Sequence, residues 1–178
     1  MTARANEPRG AGGMSRPVRL VLGVDPGIAR LGYAVVRADG GTLTLVRGDI
    51  IATPAGTQPH LRLHAIYQGL LGLIAEYGPT EMAVEELFFA KNATTAIGVG
   101  QARGVALLAA AEAGLAVSEY KPMQIKQAIH GYGLATKAQV GEMVRALLRL
   151  PVPLTPDDAS DAAAIAICHL HSTHHLSL

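Results

Sequence analysis

Three strand-like segments crowd between Val18 and Ile51, and helical and strand-like patterns alternate from there onward; few folds accept that order. Residues 18–25 form a compact apolar run ending in Asp25-Pro26-Gly27, the pattern of a buried strand. Residues 32–37 and 42–51 predict two more strands, joined by Asp39-Gly40-Gly41 as a hairpin turn. Over 59–77, Leu63, Ile66, Leu70, Leu73, Ile74 and Tyr77 keep helical spacing, and Gly78-Pro79 stops that helix. A strand at 82–85, a helix at 92–113, a strand at 115–119 and helices at 122–130, 136–150 and 156–171 follow. The later strand–helix–strand steps predict parallel pairing through right-handed crossovers. The expected class is α/β: a mixed five-stranded sheet, three antiparallel strands and then parallel ones, flanked by helices.

The 178 residues suit one domain. Residues 1–17, rich in Gly, Ala, Arg and Pro, read as a disordered extension, residues 18–171 as the domain, and 172–178 as a tail. Aromatics are only 4% and Trp is absent, so the core must be aliphatic. Charged residues are only 16%, which predicts that some surface is hidden in an oligomer. A net charge of +1 excludes a uniformly basic nucleic-acid binder; any such binding must come from a local patch. The single thiol, Cys168, cannot build a disulfide framework or a zinc site and reads as a small buried apolar residue. Neither a signal-peptide run nor a membrane-spanning run is found, and the cytoplasm is the expected compartment.

Carboxylates define the candidate site. Asp25 ends the first strand, where open α/β sheets place their ligands, although Asp before Pro-Gly also suits a simple turn. Glu85 ends the strand after Met82-Ala83-Val84. A carboxylate there is unfavourable unless it is paired or metal-bound. Its neighbour Glu86 is also acidic; strand alternation lets only one of the pair point with Asp25, and Glu85 is chosen because the apolar run ends there. Near the C-terminus stands Thr155-Pro156-Asp157-Asp158-Ala159-Ser160-Asp161. Thr155 is expected to cap the last helix, with Pro156 at its first position, and helix-dipole preference alone could explain Asp157 and Asp158. It explains Asp161 less well. Asp158 and Asp161 lie three apart and share a helix face. Oxygen-only ligation suits Mg²⁺ or Mn²⁺ over Zn²⁺, and paired hard cations serve in-line phosphoryl displacement.

Val24-Asp25-Pro26-Gly27 with Gly32-Tyr33 resembles the opening of the RuvC-type Holliday junction resolvases. So do Val84-Glu85-Glu86-Leu87-Phe88-Phe89-Ala90-Lys91-Asn92, Gly100-Gln101-Ala102-Arg103-Gly104-Val105-Ala106 and the closing Asp158-Ala159-Ser160-Asp161-Ala162-Ala163-Ala164-Ile165-Ala166. The four segments stand in the family's order. The resemblance implies an RNase H-like fold and metal-dependent, paired nicking of four-way DNA junctions. It assigns Asp25, Glu85, Asp158 and Asp161 as catalytic metal ligands, with two Mg²⁺ or Mn²⁺ ions per site. Lys126 and Lys137 match basic residues that work near the scissile phosphate and in DNA binding. Phe88 matches an aromatic inserted at the opened bases. The helix from about Asn92 resembles a dimer-interface helix, and a branch-migration motor of RuvA/RuvB type is implied as partner. Asp157 duplicates an acid beside Asp158, so either could be the ligand.

The remaining residues fit this chemistry to different degrees. Phe88 on a loop beside Glu85 could stack on bases, whereas Phe89 reads as core. Lys91, Arg103, Lys126 and Lys137 are the candidate DNA-binding cations, each of which could also be ordinary surface charge. Lys137 opens a helix, an unfavourable place for a cation, which marks it out. Ala96, Gly100 and Gly104, spaced by four, predict close approach by another helix, and a homodimer would supply two sites for paired nicks. His169, His171, His174 and His175 read as a polar C-terminal tail, His169 and His171 falling nearest the site. Three other readings compete. The first is an RNase H-like nuclease for RNA·DNA hybrid or structured RNA. The second is an actin-like or sugar-kinase-like ATPase, for which the chain is short. The third is a non-catalytic junction-binding scaffold.

Overall fold

The computed structural model describes residues 17–86 and 93–173. Its strands are β1 (Arg19–Asp25), β2 (Arg30–Asp39), β3 (Thr42–Ala52), β4 (Glu81–Glu85) and β5 (Ala116–Tyr120). Its helices are α1 (Pro59–Tyr77), α2 (Ala93–Glu112), α3 (Pro122–His130), α4 (Lys137–Leu147) and α5 (Asp157–Ser172). They interleave in the predicted order. The sheet runs β3-β2-β1-β4-β5. β1, β2 and β3 pair antiparallel, whereas β4 joins β1 and β5 joins β4 in parallel.

Local chemistry explains the joins. Gly40 and Gly41 both take positive φ, 55° and 89°, as a two-residue turn matched to strand twist requires. Beyond the turn, Val35 and Val36 face Arg47 and Leu45, so Val46 bulges out of β3. The α4 capping box is reciprocal: Gln139 N donates to Thr136 Oγ1 (3.3 Å) and Thr136 N to Gln139 Oε1 (2.8 Å). That cap fixes Lys137 at the start of α4.

Strand alternation divides the core. Leu22, Val24, Met82 and Val84 pack against α1 and α2, while Val21, Ala83, Ala162, Ile165 and Ala166 belong to the opposite layer with α3, α4 and α5. Helix α5 lies close on the sheet because its inner face is alanine and the sheet is bare beneath it. A Cβ on Gly23 would meet the Ala162 carbonyl oxygen at 2.1 Å, and one on Gly32 would meet that of Asp158 at 2.1 Å. Cys168 is buried, and burial pushes its thiol up to about 11, as suits an inert core residue.

Several expectations need correction. Helix α4 stops at Leu147, short of residue 150, and Arg149 takes φ 55°. Leu150 precedes Pro151, whose ring disfavours a helical residue before it. Strand β5 runs one residue later than expected, because Leu115 is still closing the α2 turn through its N–H to Ala110 (2.9 Å). The α5 N-cap is Pro156, not Thr155. The Pro156 carbonyl accepts from Ala159 N (2.9 Å), so Asp157 and Asp158 take the first helical positions, where the helix dipole favours acids.

His169 is no tail residue. It is buried on α5, bonded through Nε2 to Glu81 (2.8 Å) and through Nδ1 to the Tyr120 hydroxyl (2.8 Å). Arg19 pairs with the same Glu81 at 2.6 Å and, with His169, holds that carboxyl down at about 2. The cluster ties the end of α5 to the start of β4, the opposite end of that strand from Glu85. His171 contacts the Ala128 carbonyl (3.3 Å), and His174 and His175 lie outside the described residues.

Candidate active site

Parallel pairing of β1 with β4 matches Val24 to Val84, so the next residues on each strand, Asp25 and Glu85, end side by side. Both follow the alternation of Val21, Gly23 and Ala83 and face α5, while Glu86 is turned away. The Glu86 backbone N–H donates to the Tyr120 carbonyl at 2.8 Å, extending the β4–β5 pairing by one residue. Above them lies a cleft of about 280 Å³, lined by Asp25, Glu85, Lys126, Lys137 and Asp161 together with apolar residues of α3, α4 and α5.

The electrostatics show acids crowded against one another. Burial first, and then repulsion from Glu85, Asp161 and Asp158, pushes Asp25 up to about 7. Burial and Asp161 also raise Glu85, against the pull of Lys126. The other two acids have cationic partners. Asp158 is paired with Arg30 at 2.7 Å, and Asp161 with Lys137 at 2.8 Å. Lys137 lies 3.7 Å from Asp157 as well. Asp157 is the more exposed of the adjacent acids (78% against 30%) and is not among the charges acting on Asp25. Asp158 is thus the one of the two whose charge acts on Asp25, although neither lines the cleft itself.

The donor set suits a hard divalent cation: four carboxylates, no thiolate, and an Asp25 whose ionised form is disfavoured by burial and by the neighbouring acids. Among the described residues, no three acids form a ready cage. Asp158 and Asp161 are instead held in ion pairs with Arg30 and Lys137.

A pH test follows from these charges. Asp25 has a folded value near 7 against an ordinary 3.8. A raised carboxyl binds more protons folded than unfolded between those limits, so its contribution to stability falls as pH rises from about 4 to 7. Metal-free wild type is therefore expected to fall behind Asp25→Asn across that window, by a few kcal/mol at most. Thermal melts in EDTA check this, and added Mg²⁺ should narrow the gap. A constant gap from pH 4 to 8 would refute the crowding.

Other predicted residues are placed less centrally. Arg103 lies on α2, across the sheet from the cleft, and is ion-paired with Glu119 on β5. Phe88 and Lys91 lie outside the described residues. Arg30 was not singled out in the sequence. Its only signal there is a cation just after the Asp-Pro-Gly turn, and its partner Asp158 is remote in the chain.

Carboxylates at the ends of two neighbouring parallel strands, opposite an acidic final helix on a β3-β2-β1-β4-β5 sheet, define an RNase H-like nuclease. The family model described as "Crossover junction endodeoxyribonuclease RuvC" matches residues 21–169. A protein of that name from Heliobacterium modesticaldum is 54% identical over 153 residues, 86% of this chain and 94% of its own. One from Rubrobacter xylanophilus is 54% identical over 163 residues, covering 92% and 90%. The chain belongs to the RuvC family. Thermus thermophilus RuvC, solved with a Holliday junction substrate, superposes with TM-score 0.85 at 38% identity, over 89% of this chain and 97% of that one. The yeast mitochondrial Holliday junction resolvase Ydc2 shares the fold, with TM-score 0.64 at 15% identity over 90% and 82%.

Proposed function

We propose that this chain resolves four-way DNA junctions by symmetric nicks on opposite strands, leaving 5′-phosphate and 3′-hydroxyl ends, in recombination and repair. The observation that carries the reading is the juxtaposition of Asp25 and Glu85 by β1–β4 register, across the cleft from Asp161. Asp25, Glu85, Asp158 and Asp161 are the proposed ligands of two Mg²⁺ or Mn²⁺ ions. Such ions would supply an activated water and neutralise charge on the leaving oxygen. The chain's own residues do the rest. The cleft, of about 280 Å³, is the proposed seat of the scissile phosphate. Lys126 and Lys137 line it and attract that phosphate, and Arg30 and Lys137 orient Asp158 and Asp161.

Paired nicks need two sites, and a homodimer through α2 would supply them. Ala102, Ala106, Ala109 and Ala110 turn to the chain's own core, whereas Ile97 and Leu108 are exposed and Gly104 has open space beside it. That outer face suits a second copy. Phe88, Lys91 and Arg103 are proposed to contact junction DNA, Arg103 from α2 on the sheet face away from the cleft. Phe88→Ala should slow junction cleavage about tenfold with melting unchanged; a collapse of thermal stability would make Phe88 a core residue instead. The proposed RuvA/RuvB-type motor partner rests on family resemblance. Among the described residues no helix is long and apolar enough to cross a membrane. A DNA substrate supports a cytoplasmic location, and the domain is proposed to run from 18 to 171.

The deciding experiment is cleavage of a synthetic four-way junction beside linear duplex and RNA·DNA hybrid, with Mg²⁺, Mn²⁺ or EDTA. Symmetric metal-dependent nicks confined to the junction are expected. Cleavage of hybrid alone would overturn the substrate, and tight junction binding without cleavage would make the chain a scaffold.

A further inference from the structure

The first turn of α3 and the turn between α3 and α4 expose three apolar side chains close along the chain to residues that line the cleft. Leu134 is 73% exposed, Met123 63% and Tyr132 58%. Single exposed apolar residues are ordinary, but a group of them on segments that also line a functional cleft is not.

This turn is well braced. Gly131 N–H closes α3 onto the Gln127 carbonyl at 2.8 Å, and Ala135 N–H returns to the Tyr132 carbonyl at 3.1 Å. Ala135 is buried in the core that α3 and α4 share with α5. A Cβ on Gly133 would stand 2.9 Å from Met123 Cγ, so the turn is folded back onto the first turn of α3. Both flanks reach the cleft: Pro122, just before Met123, lines it, and so does Lys137, shortly after Leu134. Met123, Tyr132 and Leu134 do not line the cleft themselves; they are exposed on segments whose chain neighbours Pro122 and Lys137 do, and Gly133 brings the turn against Met123.

We propose that this apolar group is a second DNA contact surface, on which the sugar and base faces of nucleotides flanking the cleaved phosphate rest. The inference deepens the junction-nuclease reading and rests on it. Phosphate-attracting lysines beside exposed apolar groups match a nucleic-acid strand, whose charged and apolar parts alternate along its length. Lys121, exposed at the start of α3, adds a further cation to the same segment. Every base offers a π-face, so the contact tolerates any sequence. Its effect is to fix how far the strand slides before a phosphate seats over Asp25 and Glu85. A protein partner docking on these side chains would instead leave the behaviour of naked DNA untouched.

Photocrosslinking tests the contact. Wild-type protein in EDTA is irradiated on four-way junctions carrying 5-iododeoxyuridine at single positions around the cut. Adducts on the Tyr132 peptide are expected from one or two nucleotides beside it. In parallel, Tyr132→Ala with Leu134→Ser should weaken junction affinity about tenfold and spread the cut positions. Tyr132→Phe should restore both. No adduct, with unchanged affinity and cut pattern in the double variant, would overturn the proposal and point to a protein partner. Failure of the parent reading has a different signature: wild type would then neither bind nor cut the junction, and both proposals would fall.

Discussion

Asp25→Asn is expected to reduce junction cleavage by about 10³-fold or more while junction affinity stays within about twofold. The carboxylate sits at the cleft floor beside Glu85, where burial and repulsion from Glu85, Asp161 and Asp158 raise it. Asparagine keeps the shape and removes an anionic oxygen. Any bound cation loses a ligand, and several kcal/mol of transition-state stabilisation go with it. Binding should survive, because phosphate attraction comes from Lys126, Lys137 and the rest of the DNA face. Lys137→Ala should show the complementary pattern, with affinity falling and its salt dependence becoming shallower. Single-turnover cleavage and equilibrium binding on the same junction separate the two. If Asp25→Asn loses binding and cleavage together, with a lowered melting temperature, Asp25 is a turn residue and not a catalytic one.

Gly32→Ala is the second large effect, and it needs no change in any charged group. Its new Cβ would lie 2.1 Å from the Asp158 carbonyl oxygen, inside the first turn of α5. That turn is backbone and cannot rotate away as a side chain would, so the helix start must lift. Overpacking of this kind costs about 2–3 kcal/mol, or roughly 5–10 °C in melting temperature for a chain of this size. Cleavage should fall about a hundredfold, because a shift near 1 Å in Asp158 and Asp161 spoils the alignment. Gly72→Ala is the control. Gly72 is exposed within α1 with nothing within 4 Å of an added Cβ, and the substitution should stabilise by up to about 1 kcal/mol. A Gly32→Ala protein that melts and cuts like wild type would show that α5 is not held at this spacing.

The acids and the fold were legible in the chain for different reasons. Apolar periodicity and turn residues are local, so β1, β2, β3, α1 and α3 match their expected spans to within about two residues. Glu85 could be preferred to Glu86 because the apolar run Met82-Ala83-Val84 ends at it, and alternation allows only one of the pair to point with Asp25. The misjudged ends are the close of α4, where Arg149 takes φ 55° ahead of Leu150-Pro151, and the start of α5 at Pro156; at each, the conformation of one or two residues settles the boundary. His169 was misjudged because its partners Glu81 and Tyr120 stand on two different strands, and nothing near it in sequence announces them.

By itself the sequence determined the order of elements, the aliphatic core and which strands and helix carry carboxylates, because hydrophobic period and residue chemistry act within a few positions. Only the tertiary structure decided that Asp25 and Glu85 are neighbours, that Arg30 holds Asp158, and that Arg103 faces away from the cleft. It also decided that the two glycines let α5 lie against the sheet. Those are distances between segments remote in the chain, and they are set by parallel register and by how closely two backbones can pack.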